Sequence, residues 1–289
     1  MADARPGGRL RDRLAGPAAS APQPAKKQAP KQTMAYGPHR LQQLDFYPPA
    51  TGNRRAPLIV FVHGGGWKRG SKDHAQGNWK APHYTASGYA YASINYRLVP
   101  DATVEQQGAD IAAAVRFLID NAARLGFDPT RIVLMGHSAG AHLVALVGTD
   151  ESYLKGAGLS FAAIGGVIPI DGAAYDVPRQ MSEGGKFMAE TYVQAFGTDP
   201  ARQRALSPTL HAASPNAPAF LIIHVQRQDG VAQSKSLQEA LRRGGTEAER
   251  QEFPGRGLKG HAEINRQLGD PAYAATPVVD AWLKKIFGV

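Results

Sequence analysis

Along the chain, short runs that are apolar at nearly every position alternate with longer segments whose apolar residues return every three or four places. The strand-like runs are residues 57–62 (PLIVFV), 89–96 (YAYASINY), 132–135 (IVLM), 162–170 (AAIGGVIPI) and 219–225 (AFLIIHV). Continuous apolar runs of this length suit strands covered on both faces of a parallel sheet. An earlier stretch, residues 39–47, alternates roughly and is stopped by Pro48 and Pro49, and a further short strand is expected near residues 248–253. Between the runs, helical spacing appears at Ile111, Val115, Leu118, Ile119, Ala122 and Leu125, ended by Gly126 and Pro129. It returns over residues 233–243, and over 275–287 with Val278, Val279, Trp282, Leu283 and Ile286 on one face. Strands alternating with helices predict an α/β fold, a mostly parallel central sheet with helices on both faces. Residues 173–213 break the rhythm with Pro178, Gly184, Gly185, Met188 and aromatic residues, and are expected to form a small cap insertion over the carboxyl end of the sheet.

Composition changes the picture at one end. The 289 residues, 43% apolar and 20% charged, can bury one large core. Residues 1–34 stand apart, rich in Ala, Pro, Lys and Arg without apolar periodicity, and read as a disordered basic tail ahead of a domain at 35–289. That tail holds seven Lys or Arg against Asp3 and Asp12, so +5 of the formal +9 charge lies outside the domain. Because the tail has no aromatic residue, a nucleic-acid partner is not expected. No apolar run approaches the roughly 18 residues of a membrane span. The tail also lacks the apolar core, roughly 7 to 15 residues, of an export signal. A cytoplasmic location is the expectation, with removal or replacement of a leader as the alternative. Cysteine is absent, which excludes thiolate metal sites, disulfides and cysteine nucleophiles.

The candidate chemistry begins where the strand at 132–135 runs into Gly136-His137-Ser138-Ala139-Gly140 and a small-residue helix starts at once. A serine between a strand and a helix needs glycines around it, because a Cβ at those places strikes the strand or the helix. The helix start then aims the Ala139 amide and the positive end of the helix dipole at the group Ser138 attacks. A second source of amides follows the strand at 57–62, where His63-Gly64-Gly65-Gly66-Trp67 leaves bare backbone at the sheet's carboxyl edge. A serine hydroxyl needs a base, and the base needs an orienting acid. In chain order these fall to His261, delivered by a glycine-rich loop at 254–260, and Asp229, which follows the strand one step before the base. Asp171, also at a strand end, and Asp270 compete as the acid. His74 and His83 are expected to face solvent, and His142 and His224 to pack. No metal site is expected: His63, His137 and His261 have neither one-face helical spacing nor a carboxylate cluster.

The motifs HGGGW, GHSAGAHL, YRL (Tyr96 to Leu98) and QS (Gln233, Ser234), with the order Ser138, Asp229, His261, resemble the α/β-hydrolase superfamily of carboxylesterases. They are most similar to the bacterial esterase and kynurenine-formamidase-like group, which is related to hormone-sensitive-lipase-type esterases. Two departures stand out: GHSAG in place of GDSAG, and HVQRQDG in place of HGxxD. The resemblance implies an α/β-hydrolase fold, a catalytic triad of Ser138, Asp229 and His261, and an oxyanion hole from the amides of Gly65, Gly66 and Ala139. It implies no cofactor. The expected activity is hydrolysis of small to medium acyl or aryl esters through an acyl-enzyme, the partner being a small-molecule ester. Amide hydrolysis of the arylformamidase kind is the alternative on the same triad, and a non-catalytic ligand-binding module is the remote one. Trp67, His137, Tyr175, Phe187 and Tyr192 are the candidate substrate-binding residues.

Overall fold

The computed structural model describes residues 30–73, 79–184, 186–213 and 215–289, apart from the side chains of residues 186 and 187. The chain has an α/β-hydrolase fold. Its strands are β1 (Gln32–Ala35), β2 (Gln43–Tyr47), β3 (Ala56–Val62), β4 (Ala90–Ile94), β5 (Phe127–His137), β6 (Gly166–Ile170), β7 (Ala219–Gln226) and β8 (Glu247–Arg256). They form one sheet in the order β1-β2-β4-β3-β5-β6-β7-β8. β1 and β2 enter antiparallel, and every pairing from β4 to β8 is parallel.

Every residue of β3, β4 and β6 is buried, as expected of strands covered on both faces. Alternate residues of one strand serve different cores. Leu58, Val60 and Val62 join Ile132, Leu134 and Val167 on the face covered by α2 (Val104–Asp120), α4 (Ala139–Thr149) and α10 (Gln228–Arg243). Ile59 and Phe61 join Val133, Met135 and Ile168 on the opposite face, under α1 (Lys80–Ala86), α11 (Gly257–Gln267) and α12 (Ala275–Phe287). Each fully buried aliphatic side chain contributes about 1.5–3 kcal/mol. Short helices α3 (Ala122–Leu125) and α5 (Ser152–Gly156) flank α2 and α4 in sequence. All eleven residues of α4 are buried, so the helix behind Ser138 is fixed from all sides.

The insertion between β6 and β7 is helical: α6 (Val177–Glu183), α7 (Lys186–Phe196), α8 (Pro200–Ala205) and α9 (Pro208–His211). Asp176 and Asp199 cap α6 and α8, each side chain accepting from the amides of the first turn.

Four readings change. Gln32–Ala35 pairs with β2, so the domain starts before residue 35, and the rest of the expected tail, residues 1–29, lies outside the described residues. The edge strand escaped notice because QTMA is polar and largely exposed. It is held by backbone pairing and by Asp45, which binds Lys31 Nζ at 2.6 Å and Thr33 Oγ1 at 2.6 Å. The helix expected from residue 233 already begins at Gln228, so Asp229 lies in its first turn rather than on a loop. His261 likewise stands on α11, not after a loop. The glycines before it serve a close approach: a Cβ on Gly260 would come within 2.6 Å of the Gly255 carbonyl carbon. Finally, His83 does not face solvent but binds Asp280 at 2.9 Å, joining α1 to α12, and His74 lies outside the described residues.

Candidate active site

Ser138 sits between β5 and α4 at φ 58°, ψ −119°, a conformation that costs an L-residue energy and persists only when its surroundings enforce it. The glycines on either side of it press against backbone. A Cβ on Gly136 would lie 2.3 Å from the Gly140 oxygen, and one on Gly140 would lie 2.2 Å from the Val62 oxygen. The turn is therefore pressed against both its own helix and β3. Among the described non-glycine residues, positive φ occurs at Trp67, Ser138, Asp171 and Ala174. Trp67 and Ser138 line one cavity, and Asp171 stands immediately behind Ser138 in the sheet, so backbone strain is concentrated here.

The imidazole of His261 spans Ser138 and a carboxylate. The Ser138 hydroxyl lies 3.0 Å from Nε2, and Nδ1 lies 2.5 Å from Asp171 Oδ2. With Nδ1–H donating to the carboxylate, Nε2 is left as the acceptor for the serine proton. Asp171 is completely buried at the end of β6, beside the strand that carries Ser138: the Ser138 amide donates to Ile170 at 3.0 Å. Its other contacts are the Val225 amide on Oδ1 at 3.1 Å and the Arg227 Nε–H on Oδ2 at 3.3 Å. Burial alone would raise the Asp171 pKa, but the His261 hydrogen bond and the Arg227 charge outweigh it and hold the carboxyl at about 2.

Asp229, the acid expected from chain order, is not the imidazole's partner. Its Oδ2 accepts from Arg227 Nη1 at 2.7 Å and lies 3.4 Å from Gln180 Nε2. The early start of α10 fixes it in a helical turn facing the cavity, whereas β6, one strand nearer to β5, brings Asp171 under His261. Asp270 belongs to the turn after α11, where its carbonyl accepts from the Tyr273 amide. Arg227, which sequence reading passed over, is the hub: it reaches both carboxylates, and its Nη2 donates to the carbonyls of Asp171 and Gly172 at 3.1 Å.

The cavity over Ser138 has a volume of about 820 Å³ and is lined by Gly64, Gly65, Gly66 and Ala139 among others. Gly65 and Gly66 have φ of 123° and 61°, open to glycine and closed to most residues. Gly64 packs against the Ser138 turn so closely that a Cβ there would be 2.8 Å from Ser138 Cβ. Of the five candidate substrate-binding residues, the structure brings three to the cavity: Trp67, His137 and Tyr192. Trp67 is nearly buried, its indole N–H donating to His142 Nδ1 at 3.3 Å and its ring edge-on to Phe196. His137 donates through Nε2 to the His261 carbonyl at 2.9 Å, and its ring lies 4.5 Å from the His261 ring. Burial, then the neighbouring His261, pushes the His137 pKa well down. Tyr175 is a correction: it is wholly buried in the core, packed against Gly172, and does not reach the cavity. The Phe187 side chain lies outside the described residues.

A second residue absent from the sequence reading ties down the helix that carries His261. Lys80, fully buried on α1, donates through Nζ to Asn265 Oδ1 at 2.9 Å and to the Asn265 carbonyl, on the helix that carries His261. Burial lowers its pKa to about 7. Its signal, a lysine before an apolar helical stretch, cannot be told from a solvated one. Among the described residues no group of three or more His, Asp or Glu is placed to hold a metal, and no helix is long and apolar enough to cross a membrane.

Comparison with known proteins agrees with this fold. The family model BD-FAE matches residues 44–241, more than half of the chain. The chain belongs to the BD-FAE family. The match runs from β2 into α10, taking in the glycine loop, Ser138, Asp171 and Asp229 and stopping short of His261. Among curated relatives of this BD-FAE chain, Esterase LipQ of Mycobacterium tuberculosis is 31% identical over 222 residues, 73% of this chain and 52% of LipQ. Probable isoprenylcysteine alpha-carbonyl methylesterase ICMEL2 of Arabidopsis thaliana is 33% identical over 132 residues, 46% of this chain and 31% of that protein. The chain thus spans about a third to a half of the length of these relatives. Butyrate-bound Est2, an esterase from Thermogutta terrifontis, superposes with a TM-score of 0.68 at 25% identity, covering 89% of this chain and 94% of Est2.

Proposed function

We propose that the protein is a serine hydrolase that cleaves carboxylic esters of small to medium acyl or aryl groups through an acyl-enzyme. The observation that carries this reading is the unbroken line of hydrogen bonds from Asp171 through His261 to Ser138, ending beside a glycine-lined cavity. Nε2 of His261 takes the Ser138 proton as Oγ attacks the ester carbonyl, and returns it to the departing alkoxide. Asp171 holds the Nδ1–H tautomer and stabilises the imidazolium. The amides of Gly65, Gly66 and Ala139 receive the oxyanion, aided by the amino end of α4. Water then follows the same route in reverse and frees the acid.

Named esterases among the relatives support the ester bond as target, and the butyrate in Est2 supports a short acyl group. Trp67, Tyr192 and Met188 supply apolar wall to the cavity. Ser138→Ala is expected to abolish both hydrolysis of p-nitrophenyl butyrate and labelling by a fluorophosphonate probe while leaving the circular dichroism spectrum intact. Undiminished labelling would remove Ser138 as the nucleophile. Including N-formylkynurenine in the panel separates ester from formamide hydrolysis.

A further inference from the structure

The cavity over Ser138 holds an excess of positive charge, and that excess is not neutralised from within. Its lining includes four cations, Lys68, Arg69, Arg179 and Arg227, against two carboxylates, Glu183 and Asp229. Arg227 is occupied by Asp171 and Asp229, and Arg179 by Glu183 at 2.9 Å. Lys68 and Arg69 are different. Among the described residues neither has a carboxylate within ion-pair distance.

Their position gives this a meaning. Both follow the glycine run with only Trp67 between, and both of their amides donate to the Gly65 carbonyl, at 3.4 and 3.2 Å. One tight turn therefore carries the bare amides of Gly65 and Gly66 and, two and three residues later, two cationic side chains. The turn is seated against Ser138 through Gly64 and against α7 through Gly66, where a Cβ would lie 3.0 Å from Thr191 Cγ2. Unpaired cations at the mouth of a cleft with apolar walls focus the field and raise the local concentration of anions. A guanidinium beside an ammonium offers a carboxylate a planar fork and a point charge together. A neutral ester uses none of this.

We infer that the preferred substrate is an ester that also bears an ionised carboxylate, which Lys68 and Arg69 receive while the ester carbonyl meets Ser138. This rests on the esterase reading above and adds a substrate class to it. The test compares two matched pairs by pH-stat titration at low ionic strength. Monomethyl succinate against methyl butyrate places the charge on the acyl side, and O-acetylglycolate against isobutyl acetate places it on the alcohol side. In at least one pair the anion is expected to have a kcat/KM about tenfold higher than its neutral partner. Added salt should erode that advantage, and the double variant Lys68→Glu, Arg69→Glu should abolish or reverse it. Fluorophosphonate labelling of the variant verifies that its serine is still active. Equal rates in both pairs, or a preference that survives charge reversal, would overturn the inference. Failure of the wild-type protein to cleave any of the four esters would instead overturn the esterase reading.

Discussion

Asp171 and Asp229 follow neighbouring strands and share one arginine, yet they live in different surroundings. Asp171 is wholly buried, with His261, the Val225 amide and Arg227 on its two oxygens. Asp229 lies at the cavity wall, about a third exposed, in the first turn of α10 and bound to the outer side of the same guanidinium. A carboxylate that must orient an imidazole has to be rigid, dry and already ionised, and Asp171 meets each requirement. Asp229 is a wall residue that neutralises the part of Arg227 facing the cavity.

The largest consequence follows from replacing the buried member. Asp171→Asn keeps the shape and suits the backbone, since φ is 43° there and Asn tolerates that region better than most residues. It presents an amide to Nδ1, so His261 is forced toward the tautomer that cannot accept the Ser138 proton. A fall in kcat of about 10⁴ is expected, read by p-nitrophenyl butyrate hydrolysis at neutral pH. A loss of less than tenfold would return the acid role to Asp229.

How far the comparison was legible beforehand depends on which physical quantity chain order carries. That Ser138 and His261 would come together was readable because each carries a local cue: a glycine-flanked serine between strand and helix, and a histidine soon after the last strand, although the helix it stands on was not foreseen. The sheet was readable for the same reason, since β3, β5 and β7 are apolar enough to admit no other fate. The choice of acid was not local. Two aspartates end successive strands, and chain order favours the later one. Distance across the sheet favours Asp171, whose strand pairs directly with that of Ser138, His137 lying opposite Ile170. The one sequence cue was the departure HVQRQDG, which puts an arginine two places before Asp229. That Arg227 would bridge both carboxylates is a tertiary fact. Tyr175 illustrates the same limit, for aromatic placement in an insertion does not say whether a ring turns to the cavity or the core. β1 shows the converse, a strand held by backbone and two polar contacts with no apolar pattern.

A second consequence concerns acid stability. The Asp171 pKa is held at about 2, below the ordinary value of 3.8. A depressed carboxyl contributes stability that is fully present above the unfolded value and lost as pH falls toward the folded one. The window is therefore about pH 4 down to pH 2, and the contribution about 2 kcal/mol. Urea midpoints measured across that window should fall more steeply for the wild-type protein than for Asp171→Asn. Parallel curves would mean that Asp171 is not the ionised partner its contacts describe.

Arg227 links the two carboxylates, so its removal tests whether one charge serves both. Arg227→Met takes a positive charge away from Asp171, so that carboxyl rises from its depressed value toward the ordinary range. The acidic limb of the kcat/KM profile is expected to move to higher pH, giving a loss that is largest at the acid end and shrinks as pH rises. Arg227→Lys, which keeps the charge and loses the fork, should restore the position of the limb but not the full rate. A uniform loss at every pH, with both variants alike, would reduce Arg227 to packing.

The smallest effect is expected at the carboxylate that chain order favours. Asp229→Asn keeps a polar group within reach of Arg227 Nη1 and Gln180 Nε2, and touches neither Asp171 nor His261. Without the negative charge the guanidinium is less neutralised from the cavity side, so the field it exerts there grows. Hydrolysis of a neutral ester should therefore change by less than about threefold in kcat, with its acidic limb unmoved or slightly lowered in pH, since nothing offsets the Arg227 charge near Asp171. The direction distinguishes the two assignments beyond the magnitude. If Asp229 were the imidazole's partner, its loss would strand the wrong tautomer and cost about 10⁴ in rate at every pH. As a wall residue it can shift only the charge that the substrate and the buried acid feel.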